Sequence, residues 1–443
     1  MDFLKQIAFP QSDAHIGVLH FVMNVIYILL LPFLSYLFGA LLLSLYHNRK
    51  GRKGNNEHSI RFSKDVIRHI LPNKSILMLF GIVPFMALTF AYAQLLQGTS
   101  SISVSILTWG LFIFAAGSAF ASSYSSALSL GGLLESVGQK NEELESVKSQ
   151  MSETRRTSGK YALIFVSIAV YCLIAGTTLA AMPNKWPTVS NAVELIFSLD
   201  VLVRLVQFIL LSLTITSLGT VYFIFSWQGG DKHLTTEYAE YVKSSTLPIG
   251  LLSLLTLPIL VVLNVVLLPL PALNGLVFLS AFLVIFFVFL ASHSVYGMLK
   301  EFTARHAGNA FYLFILSMVF VVVQLTSSLS TSTQQQSAVL AYRYTIYHEE
   351  ILAKMGINLS VVTGADIFNA KCSACHEFGM KKVGPAYKDV LPKYENDKAK
   401  LLSFVLNPQK IDPAFPPMPN QGLKPAEADS IAAFIMMMYK QPK

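Results

Sequence analysis

Cysteine is scarce in this chain, with three among 443 residues. That excludes a disulfide-framed secreted module, and it leaves too few thiols for a finger-like zinc site, which wants a second ligand pair. Cys172 stands alone inside an apolar run, whereas Cys372 and Cys375 stand together near the C-terminus. Charged residues are also few, at 13% against 53% hydrophobic, with a mean hydropathy of +0.54. Such a chain is too apolar for a soluble protein of this length. The net charge of +8 comes with no nucleic-acid recognition motif, and the basic residues fall in loops between apolar runs, so no nucleic-acid partner is expected. Met1 to Asp13 lacks a basic stretch followed by a short apolar core and a cleavage site. No cleavable signal peptide is expected, and the first apolar run serves as its own insertion signal.

Long apolar runs are abundant. Eight of them reach the roughly 20 residues that a helix needs to cross a bilayer core: 16–46, 75–96, 103–131, 161–182, 199–227, 247–269, 272–297 and 309–329. Lys and Arg concentrate between the first two (Arg49, Lys50, Arg52, Lys53, Arg61, Lys64, Arg68) and between the third and fourth (Lys140, Lys148, Arg155, Arg156). The opposite connections, near Gly98 and Leu270, are almost uncharged. Basic loops stay cytoplasmic, so both termini are expected outside, across a bacterial cytoplasmic membrane. Lys140 to Arg156, with its interleaved glutamates, reads as a solvated cytoplasmic helix or loop. Ser327 to Ser337 reads as a polar tether. Tyr342 to Met355 has the period of an amphipathic helix that lies on the membrane or packs on the domain C-terminal to it. The expected domains are an eight-span bundle at 1–329, a linker at 330–358 and a small outer domain at 359–443.

The outer domain carries Cys372-Ser-Ala-Cys375-His376. Two thiols two residues apart, with an imidazole next to the second, suit two thioethers to a porphyrin and a ligand to its iron, that is, covalent haem c. The surrounding sequence resembles the small helical cytochrome c domain. Gly364 to Lys371 reads as the last turns of the helix that delivers the cysteines, with Phe368 facing the haem. Val383-Gly384-Pro385-Ala-Tyr387 resembles the loop whose proline carbonyl accepts a hydrogen bond from the ligand histidine, here Pro385 and His376. Phe415-Pro-Pro-Met418-Pro resembles the family's methionine loop. The resemblance implies iron ligation by His376 and Met418, the alternatives being Met380, too close to the motif to swing across, or no sixth ligand. Pro425 to Tyr439 resembles the closing helix, with Ile431, Phe434 and Ile435 on one face.

Ionisable residues within the spans are few, and such residues are costly in lipid. They include His15 and His20 at the outer end of the first, His293 toward the inner end of the seventh, and Asp200 and Arg204 in the fifth, spaced for an i,i+4 salt bridge. Leu19-His20-Phe21, Leu179 to Asn184, Val203 to Gln207 and Thr216 to Gly219 resemble subunit I of the cytochrome bd oxidase superfamily. That resemblance implies that His20 ligates a b-type haem iron. The family's other features are missing: no histidine in Gln207 to Leu211, no methionine in Leu273 to Leu290, no Glu in spans two and three, and no long loop around Pro271. The reading overall is an all-α, polytopic membrane bundle of eight spans with a C-terminal cytochrome c domain. Its expected function is an electron-transfer subunit of an oxidoreductase, relaying electrons between a periplasmic redox partner and other integral subunits of a respiratory complex. The alternatives are a bd-type oxygen reductase subunit fed by cytochrome c and a quinol:cytochrome c oxidoreductase, whose quinol pocket has no visible signature.

Overall fold

A computed structural model describes residues 11–71, 73–135, 142–230, 234–355, 363–394 and 397–440. Lys140 and the expected domain boundary at 358–359 lie outside them. The described chain is helical, without strands, and eight of its helices are long and apolar enough to cross a membrane. In chain order these are α1 (Asp13–Gly54), α3 (Lys74–Leu95), α4 (Ser103–Glu135), α5 (Glu142–Ala180), α6 (Leu199–Phe225), α7 (Thr236–Val266), α8 (Gly275–Lys300) and α9 (Ala304–Ser332). Between the first two runs α2 (Glu57–Ile70), capped by the Asn56 side chain, which accepts from Ser59 N at 2.9 Å. It buries Phe62, Val66 and Ile67. Lipid offers no partner for a free backbone group, so the crossing segments are helices, and they run through Pro32, Pro248 and Pro258 without a break.

Several helices overrun their apolar runs at the basic end. α1 continues to Gly54, α5 begins at Glu142 and α7 at Thr236. The described part of the charged stretch before Arg156 is therefore an extension of the fourth span, stitched by pairs such as Lys148 and Glu145 at 3.8 Å. Hydropathy marks where lipid begins, and it says little about where a helix stops.

The small-residue face of α4 serves the chain's own packing. Ser118 and Ala121 are buried, and a Cβ on Gly117 would stand 3.1 Å from Phe165 Cβ of α5 and 3.2 Å from the Val166 backbone nitrogen. Such residues let two helices approach closely within lipid. Ser122 and Ser126 line a groove with Arg68 and Lys74 instead. The expected Asp200–Arg204 ion pair is not formed. Asp200 pairs with Lys185 and accepts from Ser198 Oγ at 3.2 Å, while Arg204 donates to Thr178 Oγ1 at 3.3 Å. Lys185 lies in the turn before α6 and reaches the carboxylate first.

The described chain forms two compact units, one from His20 to Ser332 and the other from Thr333 onward with residues 11–19. The Ser/Thr-rich stretch expected as a tether is helical: α9 runs to Ser332, and α10 spans Gln334–Lys354. Its hydroxyls bond back to their own helix, Thr331 Oγ1 to Ser327 O and Ser332 Oγ to Leu329 O, each at 3.0 Å, so polar composition does not break it. Within the second unit α10 packs against the C-terminal helix, and Tyr342 bonds Asp429. Burial and that carboxylate push the Tyr342 phenol up to about 12. One of the two expected places for this amphipathic helix, packing on the C-terminal domain, is seen.

Candidate haem site

The second unit folds around a compact apolar core. Thr363 caps α11 (Gly364–Ile367), its side chain accepting from Asp366 N at 3.2 Å while Asp366 Oδ2 accepts from Thr363 N at 3.1 Å. The Thr363 hydroxyl and backbone N–H, both donating to the Asp366 carboxylate, hold it below its ordinary range. The helix therefore starts at Gly364, where its last turns were expected, and continues as a π turn over Phe368–Cys372. Phe368 packs in an aromatic cluster with Phe378, Tyr387 and Phe434 at centroid separations of 5.4, 6.2 and 5.7 Å. α12 (Tyr387–Val390), α13 (Lys398–Leu406) and α14 (Pro425–Lys440) complete the domain. Leu391, Leu401, Val405, Ile431 and Ile435 fill its centre.

Cys372, Cys375 and His376 follow one another around a single turn, with Cys375 N and His376 N both donating to Cys372 O at 3.1 and 2.9 Å. Both thiols are free, and burial raises the Cys372 thiol, partly opposed by Lys371. His376 Nδ1 lies 3.2 Å from Pro385 O. A carbonyl only accepts, so Nδ1 carries the hydrogen and Nε2 keeps its lone pair for a metal. The ring also stacks on Tyr387, centroids 5.1 Å apart and planes 17° apart. Burial raises the Tyr387 phenol, which stays neutral.

Gly384 is the residue that sequence reasoning passed over. A Cβ there would stand 2.4 Å from His376 Cε1, so only glycine lets the loop close over the ring. Its backbone N–H donates to Cys375 O at 2.9 Å, fastening loop to motif.

His376 and Met418 line the same cleft, which encloses about 950 Å³ including its open mouth. Its walls include Tyr387, Leu391, Leu401, Phe404 and Val405, most of them from α13, a helix in which the sequence alone marks no site residue. An adjoining cleft is lined by Cys372, Cys375, His376, Pro385 and Met418. Met380 lines neither and is 63% exposed. Lys371 Nζ donates to Gln421 O at 3.3 Å, tying the motif turn to the methionine loop. Two free thiols, an oriented imidazole and a thioether around an apolar cleft of this size fit a covalently attached haem.

In the first unit His20 is partly buried, its Nδ1 has no hydrogen-bond partner, and Asn24 Nδ2 donates to its carbonyl at 3.0 Å. Among the described residues no cluster of three or more His, Cys, Asp or Glu forms.

The second unit is thus a small helical haem-attachment domain on a multi-pass membrane chain. The family model for Cytochrome c matches residues 361–438. Cytochrome c-551 of Pseudomonas denitrificans is 35% identical over 80 residues, which cover 98% of that protein and 17% of this chain. Through this C-terminal domain the chain belongs to the cytochrome c family, and its cofactor is haem c.

Proposed function

We propose that this chain is a membrane-anchored c-type cytochrome subunit that relays electrons between a periplasmic redox partner and the other integral subunits of a respiratory complex. The observation that carries the reading is the convergence of Cys372, Cys375, His376 and Met418 on one apolar cleft in a domain carried by eight membrane helices. Haem c held there supplies a one-electron iron couple. Cys372 and Cys375 would anchor it, and His376 Nε2 and Met418 Sδ would supply its iron ligands. Pro385 O and the Tyr387 ring fix the imidazole's tautomer and plane. Leu401, Phe404 and Val405 would give the group an apolar wall, an environment that favours the less charged, reduced iron. The basic loops place both termini, and with them the haem domain, in the oxidising compartment where such thioethers are made.

A cytochrome bd-type oxygen reductase would need several iron ligands inside the bundle. Its support here is His20, whose Nδ1 has no hydrogen-bond partner, while no group of three or more His, Cys, Asp or Glu forms among the described residues. The relay reading is the better supported. It predicts that mild-detergent extraction yields a complex well above the 48.9 kDa of this chain, containing at least one different integral subunit. A monomer or homodimer with full cytochrome c-linked activity contradicts it. Since Gly117, Ser118 and Ala121 are used inside the bundle, the partner surface lies elsewhere.

A further inference from the structure

A second cavity lies within the first unit, enclosing about 750 Å³ between α1, α5, α6, α7 and α9 and only partly open. It sits at the end where α5, α7 and α9 finish and α6 begins, opposite the basic loops. Its lining is mostly apolar, with Leu31, Leu173, Phe208 and Leu211 among the walls. The polar residues lining it are Tyr27, Thr177, Arg204, Gln207, Asn264, Gln324 and Ser328, whose buried Oγ has no partner. Among the described residues no histidine, cysteine, methionine or carboxylate lines it, so it offers an iron no ligand and a cation no counter-charge.

Tyr27, Thr177 and Asn264 are bonded within the bundle, whereas Gln324, Gln207 and Arg204 keep donor hydrogens to spare. Gln324 is 7% exposed, and among the described residues no protein group pairs with its amide. Gln207 is 8% exposed and accepts from Asn264 Nδ2 at 2.6 Å, which leaves its own Nε2 hydrogens unengaged. Arg204 spends one N–H on Thr178 Oγ1, and the nearby Asp200 is committed to Lys185 and Ser198. Donors that face an apolar cavity with hydrogens to spare gain from a ligand that supplies acceptors, and a guanidinium gains most. The cavity is built for a ligand that brings acceptor oxygens on an apolar frame.

We infer that this cavity binds the head group of a lipid-soluble quinone, its two carbonyl oxygens taken by donors on separate walls: Arg204 and Gln207 on α6, and Gln324 on α9. Flat ring faces suit the aliphatic and aromatic walls. A lipid phosphate fits worse, because among the described residues Arg204 is the single cation of the lining and the other donors are neutral amides on different helices. The inference is independent of how the haem domain is used, since it concerns binding within the bundle.

The test uses the full haem-loaded chain in nanodiscs with a photoreactive azido derivative of a short-chain ubiquinone. Expected are saturable labelling, displaced by decylubiquinone and not by phosphatidylglycerol, and labelled peptides from α6 or α9. Gln324→Leu, close in size and apolar, is expected to weaken binding at least tenfold, with size-exclusion profile and thermal midpoint unchanged. Arg204→Lys, which keeps the charge and loses the fork, is expected to weaken it as well. Displacement by phosphatidylglycerol alone, labelling outside these helices, or undiminished labelling in a well-folded Gln324→Leu protein overturns the inference.

Discussion

Cys372→Ala and Cys375→Ala are each expected to remove covalently bound haem from the chain, whereas Cys172→Ser leaves it in place. Each thioether consumes one thiol, and both thiols lie on the turn that ends in His376. Cys172 is buried on α5, in the other unit, and has no part in that turn. Haem staining on a denaturing gel reads the outcome directly, because only covalent haem survives denaturation. The expected change is from full staining to background in either single variant. Full staining of the doubly substituted protein contradicts the assignment.

Replacing the proposed sixth ligand has the second large effect. A thioether donates weakly and favours ferrous iron, whereas a second imidazole stabilises ferric iron. Met418→His is therefore expected to lower the midpoint potential by on the order of a few hundred millivolts, within the roughly 0.8 V that axial ligands span. Met380→His is expected to leave it unchanged, since that side chain is 63% exposed and lines neither cleft. Redox titration of the purified full chain compares the two. A shift with Met380→His and none with Met418→His reverses the ligand assignment.

These residues are legible in the sequence because they are local. The two cysteines and the histidine fall within five consecutive positions, and the methionine sits among three prolines, so each motif carries its chemistry without knowledge of the fold. The cleft's outer wall is not legible in this way. Leu401, Phe404 and Val405 look like any short amphipathic helix until tertiary packing turns α13 toward His376. Gly384 is visible in the sequence as a member of a loop, but its role is a distance of 2.4 Å to a ring eight residues away, which no spacing rule contains.

In the membrane unit the number of spans is readable from hydropathy, and the helix ends are not, because charged turns beyond the lipid edge extend α1, α5 and α7 without altering the apolar windows. A stripe of small residues looks the same whether it meets a partner subunit or a neighbouring helix. On α4 Gly117 packs against α5, and Ser118 and Ala121 are buried. The amides of Gln207, Asn264 and Gln324 are isolated polar residues in separate apolar runs, and only the bundle brings them to one cavity. A search for acids, histidines and cysteines misses them, because their hydrogen-bonding value depends on what they fail to pair with.

The pyridine haemochrome spectrum of the full chain, purified from membranes and scaled to protein concentration, separates a relay subunit from a self-contained oxidase. One haem c per chain, with no stoichiometric haem b or d, is the result the relay reading predicts. Absence of haem c, or a b- or d-type haem present at one per chain beside it, contradicts that reading.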